Sequence, residues 1–434
     1  MKMRMEWLIL VWALGCCAAH AKVFDVRESG AKGDGKALDT AAIQSALDEC
    51  GKAGGGTVRF PAGTYLSKPI TLRSKITLLL EEGAKLLATG EQAAFLKSGT
   101  DWLAAKSSGD FIPFIGGKGL EDVTITGKGT IDGNGEHWWG PAEDARKKKP
   151  GFTLPRPNLI DVTGCKNLRV ENVTLQNSPK FNLVPRDSED VIISNVTILA
   201  PPRSANTDAI DPTNCRRVLI THCRIDVGDD NVAIKSGKKV EGREFACEDI
   251  TVTDCVFLHG HGMSIGSEVV GGVRNVTVRN CTFEGTENGI RIKSRRDRGG
   301  RVENITYRDI TMKNVDPAIT LSCLYGGVSA KDAAQPSAEK EDAAQPVTET
   351  TPIYRNIRIS NLTATCDRSA GLIVGLPESA ITDVVLENVR ITAAATGLKI
   401  EHAKGIQLEN VEVTNKEGPP FVLKNAQVEG LKDK

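Results

Sequence analysis

Six side chains suited to acid–base chemistry on a sugar fall in four short clusters. These are Asn206-Thr207-Asp208, Gly228-Asp229-Asp230-Asn231, Gly260-His261-Gly262 and Arg291-Ile292-Lys293. Glycosidic cleavage takes one protonated carboxyl to give the leaving oxygen a proton, and a second carboxylate to act on water or on the ring. Asp208, Asp229 and Asp230 supply three carboxylates. Crowding them raises at least one pKa, which keeps an acid protonated. His261 is placed to hold or orient that acid. Arg291 and Lys293 suit the carboxylate of an acidic sugar. A carboxylate beside glycine ordinarily forms a turn, and any one cluster alone reads that way. Four in succession, of complementary types, do not.

These clusters need a scaffold that repeats. From about residue 165 an alternating strand recurs with Asn, Asp or His at its middle: Asn172, Asn195, His222, Asp254, Asn280, Asp309, Asn361, Asn388 and Asn410. The intervals run from 22 to 32 residues, with one of 52 that is two units or one unit carrying an insertion. Such a period, in short β-branched strands without a helical pattern, predicts a parallel β-solenoid whose stacked coils share one core. A β-propeller needs about 40 residues per blade and fits worse. Ile210, Ile234, Ile265 and Ile292 form a second column. Asp208 stands two before its Ile, Asp229 and Asp230 five and four before, His261 four before, and Arg291 and Lys293 flank theirs. All six then lie on one edge of four consecutive coils, within roughly 15 Å along the stack.

The polar marker column predicts a ladder of side-chain amides hydrogen-bonding from coil to coil at a bend. The Asn-x-Thr triplets at Asn172, Asn195, Asn275, Asn304 and Asn361 recur because the strand phrase recurs, so glycosylation is the weaker reading. Six of the nine cysteines beyond residue 21 fall in two columns, Cys165, Cys215 and Cys247 before the marker and Cys223, Cys255 and Cys281 after it. Sister coils carry small apolar residues there, which predicts core thiols. No Cys-x-x-Cys occurs, so a zinc site is not expected.

Residues 22–75 read as an N-terminal cap. Asp39-Thr40 can cap a helix from about Ala41 to Cys50 with Ile43, Ala46 and Leu47 on one face, and a strand follows over Thr57 to Phe60. Such a helix closes the open end of a solenoid. Coils are expected from about Ile76, with one through Val123-Thr124-Ile125. Gly140 to Pro157 reads as a basic loop walling the cleft. Residues 326–351 contain Asp332-Ala-Ala-Gln-Pro336 repeated from Asp342, a low-complexity loop insertion. Arg295, Arg296, Arg298 and Arg301 extend the cations into a basic strip, or into a solvated loop.

Lys+Arg and Asp+Glu each number 55, so no global field draws the chain to nucleic acid. Residues 1–21 combine Lys2 and Arg4 with an apolar run and an Ala19-His20-Ala21 end, a signal peptide for a secreted or periplasmic protein. Cys16 after Gly15 keeps a lipoprotein anchor as the lesser alternative. No later stretch is apolar enough to span a bilayer. The expectation is one catalytic domain over 22–434, acting as a monomer.

The four clusters, in order and spacing, resemble family 28 of the glycoside hydrolases, the polygalacturonases and relatives that cut pectin. The opening Phe24-Asp25-Val26 with Gly30 to Gly35, and Gly54 to Tyr65, is similar to the family's N-terminal segment. The resemblance implies an all-β, right-handed parallel β-helix that hydrolyses α-1,4-galacturonosyl linkages with inversion, without metal or cofactor. It implies Asp229 as general acid, Asp208 and Asp230 activating water, and His261 supporting the acid. It further implies Arg291 and Lys293 binding the galacturonate carboxylate, with Asn206 and, more loosely, Tyr325 at the substrate. Two departures stand out: Asn231 replaces a frequent Cys, and Asn182, after Asn177-Ser178-Pro179, stands where a His is common. The two extra loops favour a blocked, exo-acting cleft. Alternatives are a rhamnogalacturonan or other side-branch hydrolase on this fold, a calcium-dependent pectate lyase, in which Gly260-His261-Gly262 has no role, and a non-catalytic carbohydrate-binding β-helix.

Overall fold

The computed structural model describes residues 22–97, 102, 105, 107–148, 154–326 and 343–431. The signal segment and most of the 326–351 insertion lie outside them. The named strands pair in parallel, coil on coil, from Val23–Asp25 to Glu417–Glu429. This is the parallel β-helix that the period predicts.

Stacking begins earlier than expected. Val23–Asp25 pairs with Gly56–Phe60, which pairs with Ile76–Leu80, so the cap segment already contributes two coils. Across the long face one apolar file runs through Leu168, Val191, Val218, Ile250, Val276, Ile305, Ile357, Val384 and Ile406. Alternation along each strand sends these side chains inward, and all are essentially buried. The nine described cysteines are buried and free, filling core positions like their apolar counterparts.

Every marker residue from Asn172 to Asn410 has a positive φ between 52° and 63°. Asn, Asp and His tolerate that left-handed geometry far better than branched residues, which explains the column's composition. The amide ladder is present: Asn195 donates to Asn172 at 2.8 Å, Asn361 to Asp309 at 2.8 Å and Asn410 to Asn388 at 2.8 Å. A second left-handed column, five residues earlier, carries its own ladder, with Asn167 on Asp122 at 2.7 Å, Asn275 on Asp249 at 3.0 Å and Asn356 on Asn304 at 2.7 Å. Two left-handed residues per coil turn the chain between faces.

Helix α1, Thr40–Lys52, closes the N-terminal end and buries Ile43, Ala46, Leu47 and Cys50. Asp39 precedes it but does not cap it; its carboxylate accepts the Lys32 and Gly33 N–H groups at 2.7 and 3.0 Å. The first half of the loop expected over Gly140 to Pro157 belongs instead to helix α2, Glu136–Lys148. Pro141 lacks the N–H that a helix would bring to the His137 carbonyl, and Gln92 Nε2 donates there instead at 2.7 Å. Trp138 anchors α2 edge-on to Phe95, Trp102 and Phe111.

Candidate active site

The four clusters lie on one face, in successive coils. Leu183 pairs with Ile210, Ile210 with Val232, Val232 with Met263 and Met263 with Ile290. This corrects the column that set Ile210 beside Ile234: Ile210 sits two residues earlier, opposite Val232. By that register Asp208, Asp230 and His261 take the same position in three consecutive coils. The Ala209 N–H donates to the Asp230 carbonyl at 2.9 Å, fixing the first two side by side.

The small residues of the clusters make this approach feasible. Thr207 Oγ1 accepts the Gly228 N–H at 3.0 Å, tying the first cluster to the second. A Cβ on Gly260 would meet the Asp229 carbonyl at 2.4 Å, and one on Gly262 the Asn288 carbonyl at 2.0 Å. Glycine is therefore needed on both sides of His261. Asn231 is buried and clamps this turn, donating to the His259 carbonyl and accepting the Gly262 N–H, both at 2.8 Å. Asn182 is also fully buried, its amide donating to the Thr207 and Asp208 carbonyls at 3.2 and 3.1 Å. It supports the Asp208 strand from within, where no sugar reaches it.

The three carboxylates have different surroundings. Asp229 is the most open, its side chain 18% exposed against 4% for Asp208 and 3% for Asp230. His261 Nδ1 lies 3.0 Å from Asp229, and Nε2 lies 3.1 Å from Glu287. The Asn206 N–H also donates to Asp229, at 3.2 Å. Asp230 is held by Lys293 at 2.7 Å, Arg291 at 3.2 Å and Ser264 Oγ at 2.8 Å. Asp208 pairs with Lys235 at 3.0 Å, and Lys235 also holds buried Asp211 at 2.5 Å. Asp208 Oδ1 has no hydrogen-bond partner among the described residues.

These surroundings separate the acidities. Burial pushes the Asp208 carboxyl well up, more than Lys235 lowers it, and Asp211 and Asp229 add to the rise. At Asp230 burial also acts upward, but Lys293 and Arg291 outweigh it and hold the carboxyl down. At Asp229 burial is again overcome, here by the hydrogen bond and charge of His261, and the carboxyl lies below its usual range. Burial works against the His261 cation, yet Asp229 and Glu287 raise its pKa to about 10. The crowding expected from three aspartates thus raises Asp208 and not Asp229.

Asp229, Asp230 and His261 place ligand-type atoms within 4.8 Å of one another. Their charges suit ion pairing better than a metal. A protonated imidazole has no lone pair to donate, and Arg291 and Lys293 already neutralise Asp230.

The residues expected at the site therefore converge. Tyr325 joins them, its ring centre 5.7 Å from the Arg291 guanidinium carbon and 5.3 Å from Lys293 Nζ. Asn206 accepts a hydrogen bond from Arg156 at 2.9 Å. The basic strip does not continue the site. Arg295 pairs with Asp297, Arg296 with Glu378, Arg298 with Glu268 and Arg301 with Glu244. Lys235, Asp211, Arg156 and Glu287 belong to the site's network without any signal in the sequence clusters. Lys235 looks like an ordinary strand residue, and only the coil register shows whom it meets.

The model of the family described as glycosyl hydrolases family 28 matches residues 50–404. An endo-polygalacturonase of Pectobacterium carotovorum subsp. carotovorum is 34% identical over 371 residues, covering 82% of this chain and 85% of that protein. The crystal structure of a hyperthermoactive exopolygalacturonase from Thermotoga maritima superposes with a TM-score of 0.75 at 28% identity, covering 91% of this chain and 92% of that one. A polygalacturonase from Erwinia carotovora ssp. carotovora gives a TM-score of 0.69 at 29% identity, covering 91% and 94%. The fold is the right-handed parallel β-helix of these polygalacturonases. The chain belongs to family 28 of the glycosyl hydrolases.

Proposed function

We propose that the protein hydrolyses α-1,4-galacturonosyl linkages of polygalacturonate with inversion, without a metal or cofactor. The observation that carries this reading is the division of labour among three adjacent carboxylates, beside the cation and aromatic set of Arg291, Lys293 and Tyr325. Asp229, the carboxyl open to the cleft, passes the proton held by the His261–Asp229 pair to the glycosidic oxygen as the C–O bond breaks. The His261–Asp229 pair keeps a proton at hand through the neutral range, because His261 remains charged up to about pH 10. Water attacks the anomeric carbon from the other face and passes its proton to Asp208 or Asp230. Burial makes Asp208 the more basic of these, and its Oδ1 accepts no other hydrogen bond among the described residues. Arg291 and Lys293 take the sugar carboxylate by charge-assisted hydrogen bonds.

The test is incubation with polygalacturonate in chelator, following reducing ends and the ultraviolet absorbance of unsaturated products. Reducing ends without that absorbance are expected. Unsaturated products, lost in chelator and restored by calcium, would replace this reading by a lyase. Relatives carry both endo and exo names, and product lengths decide between them: monomer or dimer from the start means exo action. The basic and apolar segment at residues 1–21 supports export, checked by an exported protein whose amino terminus is Lys22.

A further inference from the structure

Arg156 is fully buried, and the chemistry above does not use it. Paired coils run Ile160, Leu183, Ile210, so Arg156 and Asn206, each four residues before its Ile, take one position two coils apart. The segment that carries Arg156 is anchored independently of the four clusters, its Pro155 carbonyl accepting the Trp102 indole N–H at 2.8 Å. Arg156 Nη2 donates to Asn206 Oδ1 at 2.9 Å, while Nε and Nη1 have no hydrogen-bond partner among the described residues.

A guanidinium taken out of water with one neutral partner lowers stability rather than raising it. Burial brings its pKa down to about 10, against the charges of Asp229 and Asp208, so it is still a cation at neutral pH. That charge decides the direction of the Asn206 amide. With Oδ1 on the cation, Nδ2 faces Asp229 Oδ2 at 3.5 Å, and the Asn206 backbone N–H reaches the same oxygen at 3.2 Å. A flipped amide would set its oxygen against the carboxylate and its N–H groups against the guanidinium, two repulsive contacts. Asp229 Oδ1 is taken on the other side by His261 at 3.0 Å and by the Asp230 N–H at 2.9 Å. Asn206 and His261 therefore hold the two oxygens of Asp229 separately. Both contacts on Oδ2 are long, which leaves room for them to shorten as that oxygen gains charge.

We propose that Arg156 is a positioning residue for the general acid. Acting through the Asn206 amide, it fixes the rotation of the Asp229 carboxyl and steadies the carboxylate that remains once the proton has gone to the leaving oxygen. The proton itself comes from the His261–Asp229 pair, and Arg156 exchanges none. This rests on the assignment of Asp229 as the acid above.

The experiment measures kcat and KM on polygalacturonate for Arg156→Met and Arg156→Lys, each alone and combined with Asn206→Gly, with unfolding midpoints recorded. Glycine accepts the left-handed backbone of Asn206, φ 56°, and removes only the amide. Arg156→Gln replaces Arg156→Met if the latter does not fold. Arg156→Met is expected to lower kcat about tenfold or more with KM within about threefold, and Arg156→Lys to keep most of kcat. Beside Asn206→Gly the same Met change should lower kcat less than about threefold, because the amide it acts through is gone. An unchanged kcat, a loss confined to KM, or an equal factor lost with and without Asn206 would overturn the proposal. So would failure of both the Met and the Gln variant to fold, which would make Arg156 structural. If Asp229→Asn is inactive and Arg156→Met matches wild type, only this inference fails. If Asp229→Asn turns over near the wild-type rate, the acid assignment fails first and takes this one with it.

Discussion

His261 Nδ1 lies 3.0 Å from Asp229 Oδ1, an ion pair in which each partner shifts the other's titration. This contact links stability to pH with a definite sign. The folded pKa of His261, about 10, lies above its ordinary 6.5. Its stabilisation is therefore fully present below pH 6.5 and is lost as pH rises from there to about 10. Urea midpoints of wild type and His261→Gln should converge across that window. A gap that stays constant from neutral pH to pH 10 would mean that the imidazole is not held as a cation.

Arg291 and Lys293, proposed to bind the sugar carboxylate, both also reach Asp230. Lys293→Met should lower kcat/KM on polygalacturonate by about 10- to 100-fold, the usual weight of a charge-assisted hydrogen bond. It should also move the acidic limb of kcat upward in pH, since Lys293 is the chief charge holding the Asp230 carboxyl down. A pure KM effect with an unmoved pH profile would confine Lys293 to substrate binding.

Lys235 is the counter-charge of two nearly buried carboxylates, Asp208 and Asp211. Removing one partner of a buried pair leaves the other uncompensated and costs about 3–5 kcal/mol. Lys235→Met should show a loss of that order in urea unfolding, and the acidic limb of any residual activity should shift to higher pH as Asp208 rises further. A variant as stable as wild type would show that Asp208 and Asp211 are neutral in the native state.

Much of this site was legible in the sequence because the fold is periodic. The marker residues announce the coil, since few side chains other than Asn, Asp and His accept the left-handed backbone at a bend. The four clusters sit on that period, so their convergence follows from it. The register at Asp208 was not legible. Val232 and Ile234 are both β-branched and share a face, and a slip of two residues keeps every side chain on its own side of the sheet. Helix α2 was hidden by Gly140 and Pro141, which look like breakers; the Gln92 contact that satisfies the His137 carbonyl comes from far along the chain. Lys235 and Glu287 were hidden because their roles arise only between coils.

The central claim is that Asp229 delivers the proton to the leaving oxygen, and kcat of Asp229→Asn on polygalacturonate tests it most directly. An amide of nearly the same shape keeps the coil but cannot give up a carboxyl proton. With circular dichroism and unfolding midpoint unchanged, kcat should fall about 10²- to 10⁴-fold, the range of general acid catalysis. Turnover within a few-fold of wild type in the folded variant would contradict the assignment and move the acid to another carboxyl of the trio.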